Sequence, residues 1–114
     1  MTNDDAMDWL GKSGQKYRYW FAAFTDSFKD KGGNYMFVRI LQNGNYLPVY
    51  IGVADSLLNR LSNHERLDEA KRNGATFVMA HTTPAGEASR LAEEQDLIAF
   101  WQPVLNTHHR SKMG

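Results

Sequence analysis

Residues 50–64 read Tyr-Ile-Gly-Val-Ala-Asp-Ser-Leu-Leu-Asn-Arg-Leu-Ser-Asn-His, and this stretch holds the local signals that decide the fold. The aromatic and β-branched residues predict the end of a strand, Gly52 permits a tight turn, and the leucines predict a helix. Positions four apart on a helix share a face, so we expect Arg60 and His64 to be neighbours. With Tyr50 at the strand end, a phenol, a guanidinium and an imidazole are predicted to converge on one side of a sheet.

The composition indicates one globular domain over residues 1–114. Apolar residues make up 42% of the chain and aromatic residues 12%, as is typical of a chain that buries a core. The absence of cysteine excludes disulfides and thiolate zinc sites and favours an intracellular location. No apolar run approaches the length of a membrane span, and the acidic start is unlike a signal peptide. We therefore expect a soluble, cytoplasmic protein that makes no contact with a membrane.

The charge pattern bears on nucleic-acid binding in two ways. Thirteen basic and thirteen acidic residues balance, which counts against a protein that binds by neutralising phosphates. The basic residues, however, cluster in the first part of the chain: six lie between Trp9 and Arg39, against two acidic ones. The candidates for contact with nucleic acid are Lys16, Arg18, Lys31 and Arg39.

The N-terminal aromatic residues predict a helical extension. Aromatic side chains recur at intervals of three and four residues between 15 and 28, which is typical of an amphipathic helix. They are Tyr17, Trp20, Phe21, Phe24 and Phe28. Basic and aromatic residues also alternate here, as in nucleic-acid platforms, but a stripe at helical period is more often a core face. Residues 1–13 are expected to be frayed.

Three strands are predicted in the middle of the chain. Residues 34–41 are rich in β-forming residues and alternate between two faces, with Tyr35, Phe37, Arg39 and Leu41 on one of them. Residues 42–45 have the Asn and Gly of a hairpin turn. The strand then returns over 46–53, where Pro48 indicates an edge or a bulge. Residues 75–81 supply the third strand. Because the first two strands are antiparallel, Tyr35 and Tyr50 are both expected at the end away from the turn.

Two helices are predicted around these strands. Asp55 or Ser56 caps the first, which extends to residue 72 and ends at Asn73-Gly74. The second begins at Thr83-Pro84 and extends to residue 102, before Pro103.

The second helix carries a carboxylate in an unusual position. Glu94 lies in the apolar arc that Leu91, Ile98 and Trp101 define, whereas Glu93 and Asp96 are expected to face solvent. A carboxylate against a core face needs a cation partner or a metal. The structural alternative is an ion pair with Arg60 or Arg90, and the functional one is a site for a hard cation such as Mg²⁺ or Mn²⁺. His81, His108 and His109 have no partner at metal-ligand spacing.

Taken together, these residues resemble the GIY-YIG endonuclease superfamily. Its motifs correspond to Gly33-Asn34-Tyr35, to Tyr50-Ile51-Gly52, to Arg60 with His64 one turn later, to the run from Glu94 to Ile98, and to Pro103-Val104-Leu105-Asn106. The match covers residues 32–107, in the order and spacing of the family. Two departures are Asn34, where an apolar residue is usual, and a longer gap between the two tyrosines.

The resemblance implies an α+β fold, a three-stranded antiparallel sheet flanked by helices, and metal-dependent hydrolysis of DNA. On this basis Glu94 holds Mg²⁺ or Mn²⁺, and Arg60 stabilises the phosphoryl group. Tyr35 or Tyr50 is the general base, activated by nearby positive charge. His64 polarises Tyr35 or contacts phosphate. Gly33, Gly52 and Asn106 are expected to support the structure of the site without taking part in the reaction.

Two other functions stay open at this point. One is a catalytically silent member of the fold that binds nucleic acid or a protein, which the zero net charge favours. The other is a cleavage module that depends on a targeting partner or a homodimer for recognition. The substrate is expected to be single- or double-stranded DNA, ahead of RNA.

Overall fold

The computed structural model describes residues 5–106. Its elements are β1 (Ala6–Leu10), β2 (Lys16–Ala22), β3 (Gly33–Ile40), β4 (Tyr46–Ala54), α1 (Leu57–Ser62), α2 (Leu67–Arg72), β5 (Phe77–Thr82) and α3 (Glu87–Trp101). The strands form one antiparallel sheet of five strands in the order β1-β2-β5-β3-β4. The α+β class is therefore confirmed, but the expectation of three strands is wrong.

The two additional strands replace the predicted N-terminal helix. Trp9 pairs with Tyr17 in the β1–β2 hairpin, and Trp20 pairs with Ala80 on β5. The predictions of a helix over 15–28 and of frayed residues before Ser13 are wrong, although residues 1–4 lie outside the described part. The aromatic spacing fits a helical period, but these residues also have high β-propensity, and the pairing partners decide between the two.

The predicted hairpin is confirmed in β3 and β4. The Leu41 amide donates to the Asn45 carbonyl at 2.7 Å across the turn. The register passes from Phe37 opposite Tyr50 to Val38 opposite Pro48, which leaves one extra residue in β4. Pro48 thus marks both a bulge and an edge strand, as its sequence position indicated.

The first predicted helix is divided into α1 and α2. The Ser56 hydroxyl accepts from the Asn59 amide at 3.2 Å and caps α1. Because α1 ends at Ser62, His64 lies beyond the helix, and the prediction that Arg60 and His64 share one helical face is wrong. The end of α2 before Gly74, whose φ is +97°, agrees with the prediction.

The last helix begins later than predicted. Its cap is Gly86, with a φ of 108°, so Thr83 and Pro84 belong to the turn after β5. It ends at Trp101, where Gln102 adopts the left-handed conformation with a φ of 47°. Within residues 5–106, no helix is long and apolar enough to cross a membrane.

The sheet has a separate core on each face. On one face, which we call the α3 face, the buried side chains pack against α3. They are Trp9, Tyr19, Met36, Val38, Ile51 and Met79, and the buried residue of α3 in this core is Leu97. On the other, which we call the α1–α2 face, the side chains of Tyr35 and Phe37 pack with α1, α2 and the 23–32 loop. Alternation along β3 therefore sends neighbouring residues into different cores.

Candidate functional site

Two glycines in the motifs of the resemblance allow close packing, Gly52 against Tyr35 and Gly33 against β5. A Cβ at Gly52 would overlap the Tyr35 ring and hydroxyl, and a Cβ at Gly33 would overlap the His81 carbonyl. Gly52 lies directly opposite Tyr35 in the β3–β4 pair. The space that Gly52 leaves is thus filled by the Tyr35 side chain.

Tyr35, Tyr50 and His64 form one cluster on the α1–α2 face. The Tyr35 hydroxyl lies 2.7 Å from His64 Nε2. The Tyr35 and Tyr50 ring centroids are 6.2 Å apart, and each lies 5.5 Å from that of His64. Tyr35 is fully buried, His64 is 6% exposed, and Tyr50 is half-buried. The structure therefore brings together the residues that the sequence placed on two strands and a helix.

The hydrogen bonds of His64 identify its tautomer. The Arg66 backbone amide donates to Nδ1 at 3.0 Å, so Nδ1 carries no proton. Burial and, to a smaller extent, the Arg60 charge lower the pKa of His64 to about 4, so the ring is neutral at pH 7. The single ring proton lies on Nε2 and is donated to the Tyr35 hydroxyl oxygen.

Arg60 is adjacent to this cluster but bound to another residue. Its two terminal nitrogens contact the two Glu65 carboxylate oxygens at 2.6 and 2.8 Å. Burial raises the pKa of Tyr35 well above its ordinary value, Tyr50 adds to the rise, and Arg60 opposes it only in part. The expected activation of the phenol by positive charge is therefore present but smaller than the effect of burial.

Two charged residues at this cluster were missed by the sequence analysis. Besides Glu65, Arg66 places its guanidinium carbon 5.4 Å from the centre of the Tyr50 ring. Arg66 also donates to the Leu105 carbonyl at 3.0 Å. The available signal was the run of charges directly after His64.

Glu94 is separated from the cluster because α3 packs on the other face of the sheet. Burial raises the pKa of its half-buried carboxylate. Among residues 5–106, no side chain forms a hydrogen bond or ion pair with it. The structural alternative from the sequence is wrong, because Arg60 contacts Glu65 and Arg90 contacts Asp55 at 3.3 Å.

The neighbouring Glu93 is the buried carboxylate of α3. It is 6% exposed, accepts from the Tyr19 hydroxyl at 2.6 Å, and lies 2.5 Å from His81 Nε2. Asp96 also has partners, since the Tyr17 hydroxyl and the Ser13 backbone amide each donate to it at 2.8 Å. The expectation that Glu93 faces solvent is therefore wrong, whereas Asp96 is hydrogen-bonded but remains partly exposed. His81 has Glu93 as a hydrogen-bond partner, but among the described residues this pair belongs to no group of three or more metal ligands.

The buried stripe of α3 differs from the predicted arc. Leu91, which helped to define that arc, is 41% exposed, whereas Leu97 is fully buried. The buried stripe therefore passes through Glu93 and Leu97, and Glu94 lies at its margin. The interleaved aromatic residues of β2 supply the partners that the sequence pattern did not reveal.

The described acidic and histidine residues offer no cluster of three or more metal ligands. Mg²⁺, however, usually retains several waters and is held by only one or two carboxylates. An unpaired, half-buried carboxylate such as Glu94 fits that mode of binding. It does not fit a site that requires several protein ligands.

Asn106 holds the edge of β4. Its side-chain oxygen accepts from the Ile51 amide at 2.8 Å, and its side-chain nitrogen donates to the Ile51 carbonyl at 2.9 Å. These bonds satisfy an edge strand that has no neighbour on that side among the described strands. His108 and His109 lie outside the described residues.

The four basic candidates are exposed but do not form one patch. Lys16 and Arg18 alternate along β2 and point to the α1–α2 face, and Arg18 pairs with Asp8 at 2.9 Å. Lys31 precedes β3, whereas Arg39 lies near the far end of β3, beside Gly74.

Comparison of the chain with protein-family models, curated proteins and solved structures yields no match.

Proposed function

We propose that this chain is a metal-dependent endonuclease of the GIY-YIG type that hydrolyses phosphodiester bonds in DNA. The observation that carries the proposal is the convergence of Tyr35, Tyr50, Arg60 and His64. These residues come from two strands, a helix and the turn after it, and packing alone does not require their polar groups. Two phenols, a neutral imidazole and a guanidinium together suit proton transfer beside a phosphate.

In this proposal the tyrosines and His64 handle the proton of the attacking water. The His64 Nε2–H bond to the Tyr35 oxygen favours the phenolate, as does the adjacent Arg60. Tyr50, which is half-buried, lies closer to solvent than Tyr35. Either phenol can be the acceptor, and the other then orients water or phosphate.

Arg60 is proposed to contact the phosphoryl oxygens. Its planar fork already holds a carboxylate by two short bonds, and the same geometry suits a phosphate. Glu65 is 65% exposed, and such exposed pairs contribute only about 0–1 kcal/mol, so a phosphate can displace it.

Glu94 is the proposed ligand for Mg²⁺ or Mn²⁺. Its carboxylate has no partner among residues 5–106, and its burial favours neutralisation by a cation. A bound divalent cation would supply stabilisation of negative charge on the phosphate and the leaving oxygen. Because α3 packs on the face opposite to Tyr35, the proposal requires the substrate phosphate to reach both Glu94 and the tyrosine cluster around the edge of the sheet. Positioning of the carboxylate depends on its neighbour Glu93, which fixes this turn of α3 to the sheet.

A second candidate is a catalytically silent module of the same fold that binds nucleic acid or a protein. The full burial of Tyr35, its raised pKa and the pairing of Arg60 with Glu65 favour this candidate. A cleavage module that depends on a homodimer or a separate targeting partner is compatible with the same residues.

The test is cleavage of labelled single-stranded DNA, duplex DNA and RNA in the presence of Mg²⁺, Mn²⁺ or EDTA. We expect metal-dependent product from the wild-type chain and a loss of more than about a hundredfold in Glu94→Ala. Gln95→Ala is the matched control, because Gln95 is exposed on the next position of α3.

Full activity in Glu94→Ala would exclude this residue as the metal ligand. If the folded wild-type protein yields no product from any substrate, the endonuclease proposal is wrong and the catalytically silent binding module becomes the proposed function.

A further inference from the structure

The α1–α2 face of the sheet carries an open groove beside the tyrosine cluster. Helices α1 and α2 and the 23–32 loop pack with the β3 and β4 side chains, whereas Arg18 and Trp20 on β2 stay exposed. The groove has a volume of about 840 Å³, with Phe28 and Lys29 of the loop on one side. It is large enough for a ligand of nucleotide size.

Trp20 is unusual among the tryptophans of this chain. It is 45% exposed on an interior strand of the sheet, whereas Trp9 is 1% exposed and Trp101 is half-buried. Its neighbours on β2, Tyr19 and Phe21, point into the opposite core. The indole is therefore presented to the groove by the alternation of the strand, without a described partner ring.

The groove and the tyrosine cluster lie on one line across the sheet. Trp20 is paired with Ala80, Ala80 with Tyr35, and Tyr35 with Gly52. Residues opposite each other point to the same face, so Trp20 and Tyr35 lie two strands, or about 10 Å, apart. Ala80 lies between them, and its small side chain leaves the floor of the groove unobstructed.

The charges around the groove favour an anionic chain. No carboxylate among residues 5–106 pairs with Lys29, and Arg18 has only an exposed partner, Asp8, of the kind that contributes little. The acid in the lining is Asp26, whose side chain already accepts from the Ala23 amide at 2.8 Å. The two cations are thus the groups available to a ligand.

We propose that this groove binds single-stranded nucleic acid, with a base stacked on Trp20 and backbone phosphates on Arg18 and Lys29. An aromatic ring between basic side chains is the arrangement by which proteins hold unpaired bases. A base pair in a duplex presents no free ring face to such a platform. The inference names the substrate class of the proposed endonuclease, and its biological meaning rests on that proposal.

The test is the affinity of a labelled oligothymidine for the full chain, measured by fluorescence anisotropy in EDTA so that no cleavage occurs. We expect Trp20→Ala to weaken binding by about tenfold or more and Trp20→Phe to retain most of it. Duplex DNA is expected to bind more weakly and with no change in Trp20→Ala. Oligouridine that binds like oligothymidine would support the same class of ligand.

Phe100→Ala is the matched control. Phe100 is 46% exposed on α3, which covers the opposite face, so its removal should leave the affinity unchanged. Equal affinities of wild type and Trp20→Ala, equal losses in Trp20→Ala and Phe100→Ala, or a preference for duplex would each overturn the inference. Absence of oligothymidine binding by the wild-type chain would overturn it as well.

This experiment is independent of catalysis. If the wild-type chain cleaves no substrate but binds oligothymidine through Trp20, the inference about the groove stands and the proposed endonuclease function is wrong. If the chain cleaves DNA but its affinity for oligothymidine does not depend on Trp20, the endonuclease function stands and the inference about the groove is wrong.

Discussion

The proton on His64 Nε2 determines how Tyr35 is hydrogen-bonded. Because Nδ1 accepts from the Arg66 amide, the ring offers Tyr35 a donor and not an acceptor. The Tyr35 hydroxyl hydrogen is therefore available to another acceptor, and loss of that hydrogen leaves an oxygen that His64 still stabilises. Protonation of His64 would place a charge on Nδ1–H against the Arg66 N–H and would break this arrangement.

His64 is expected to make the stability of the protein depend on pH. The pKa of His64 is about 4 in the folded chain and near 6.5 when the residue is solvated. Between these values the unfolded chain takes up a proton that the folded chain does not, so stability falls as pH falls. From pH 7 to pH 4.5 we expect this residue to cost on the order of 2 kcal/mol of unfolding free energy.

Urea denaturation of wild type and His64→Gln at several pH values checks this expectation. Glutamine keeps an N–H donor for Tyr35 but does not titrate, so the variant should lose less stability between pH 6.5 and pH 4. Parallel curves for the two proteins would show that His64 is not the titrating group.

At the scale of the element, α3 is attached to the sheet by buried polar bonds as well as by its apolar stripe. Glu93 joins Tyr19 on β2 and His81 on β5, and Trp101 donates to the Leu10 carbonyl at 2.9 Å. The helix therefore contacts strands that are far apart in the chain. Its rotation, and with it the position of Glu94, is set by these partners.

Two adjacent glutamates give a matched pair of variants. Glu93→Ala leaves the Tyr19 hydroxyl and His81 without their partner in the core, so we expect a loss of about 3 kcal/mol in unfolding free energy. Glu94→Ala removes a half-buried carboxylate with no described partner, so its stability should be unchanged or slightly higher. Guanidinium denaturation measures both, and equal losses would contradict the assignment of roles.

At the scale of the whole molecule, the β1–β2 hairpin is part of the core and not an appendage. It supplies Trp9 and Tyr19, both almost fully buried, to the core under α3. It also covers the edge of β5, which would otherwise be open to pairing with other chains.

We therefore expect a chain that lacks residues 1–22 to lose its cooperative unfolding transition and to aggregate. Circular dichroism during urea titration and size-exclusion chromatography measure the two effects. Trp20→Ala in the full chain is the control, since Trp20 is exposed and should leave the transition in place. A truncated chain with the wild-type midpoint would show that the three remaining strands and α3 form a sufficient core.

Much of the β3–β4 hairpin and of the tyrosine cluster was predictable from the sequence. The alternation around Tyr35, the Asn-Gly turn and the Ser56 cap each depend on residues near one another in the chain, and the structure agrees with them. The meeting of Tyr35 with Tyr50 follows from that local hairpin. The position of His64 did not follow from helical spacing, because α1 stops at Ser62.

The sequence by itself thus determined the elements whose hydrogen bonds and turns are local, and the residue types at the candidate site. Only the tertiary structure decided that residues 16–22 form a strand, because their aromatic pattern fits both periods and the choice depends on β5, more than fifty residues away. It also decided that Glu93, and not Glu94, is the buried acid, since Tyr19 and His81 are the partners that make that burial favourable. Burial and pairing between distant residues are properties of the folded chain, and no local pattern contains them.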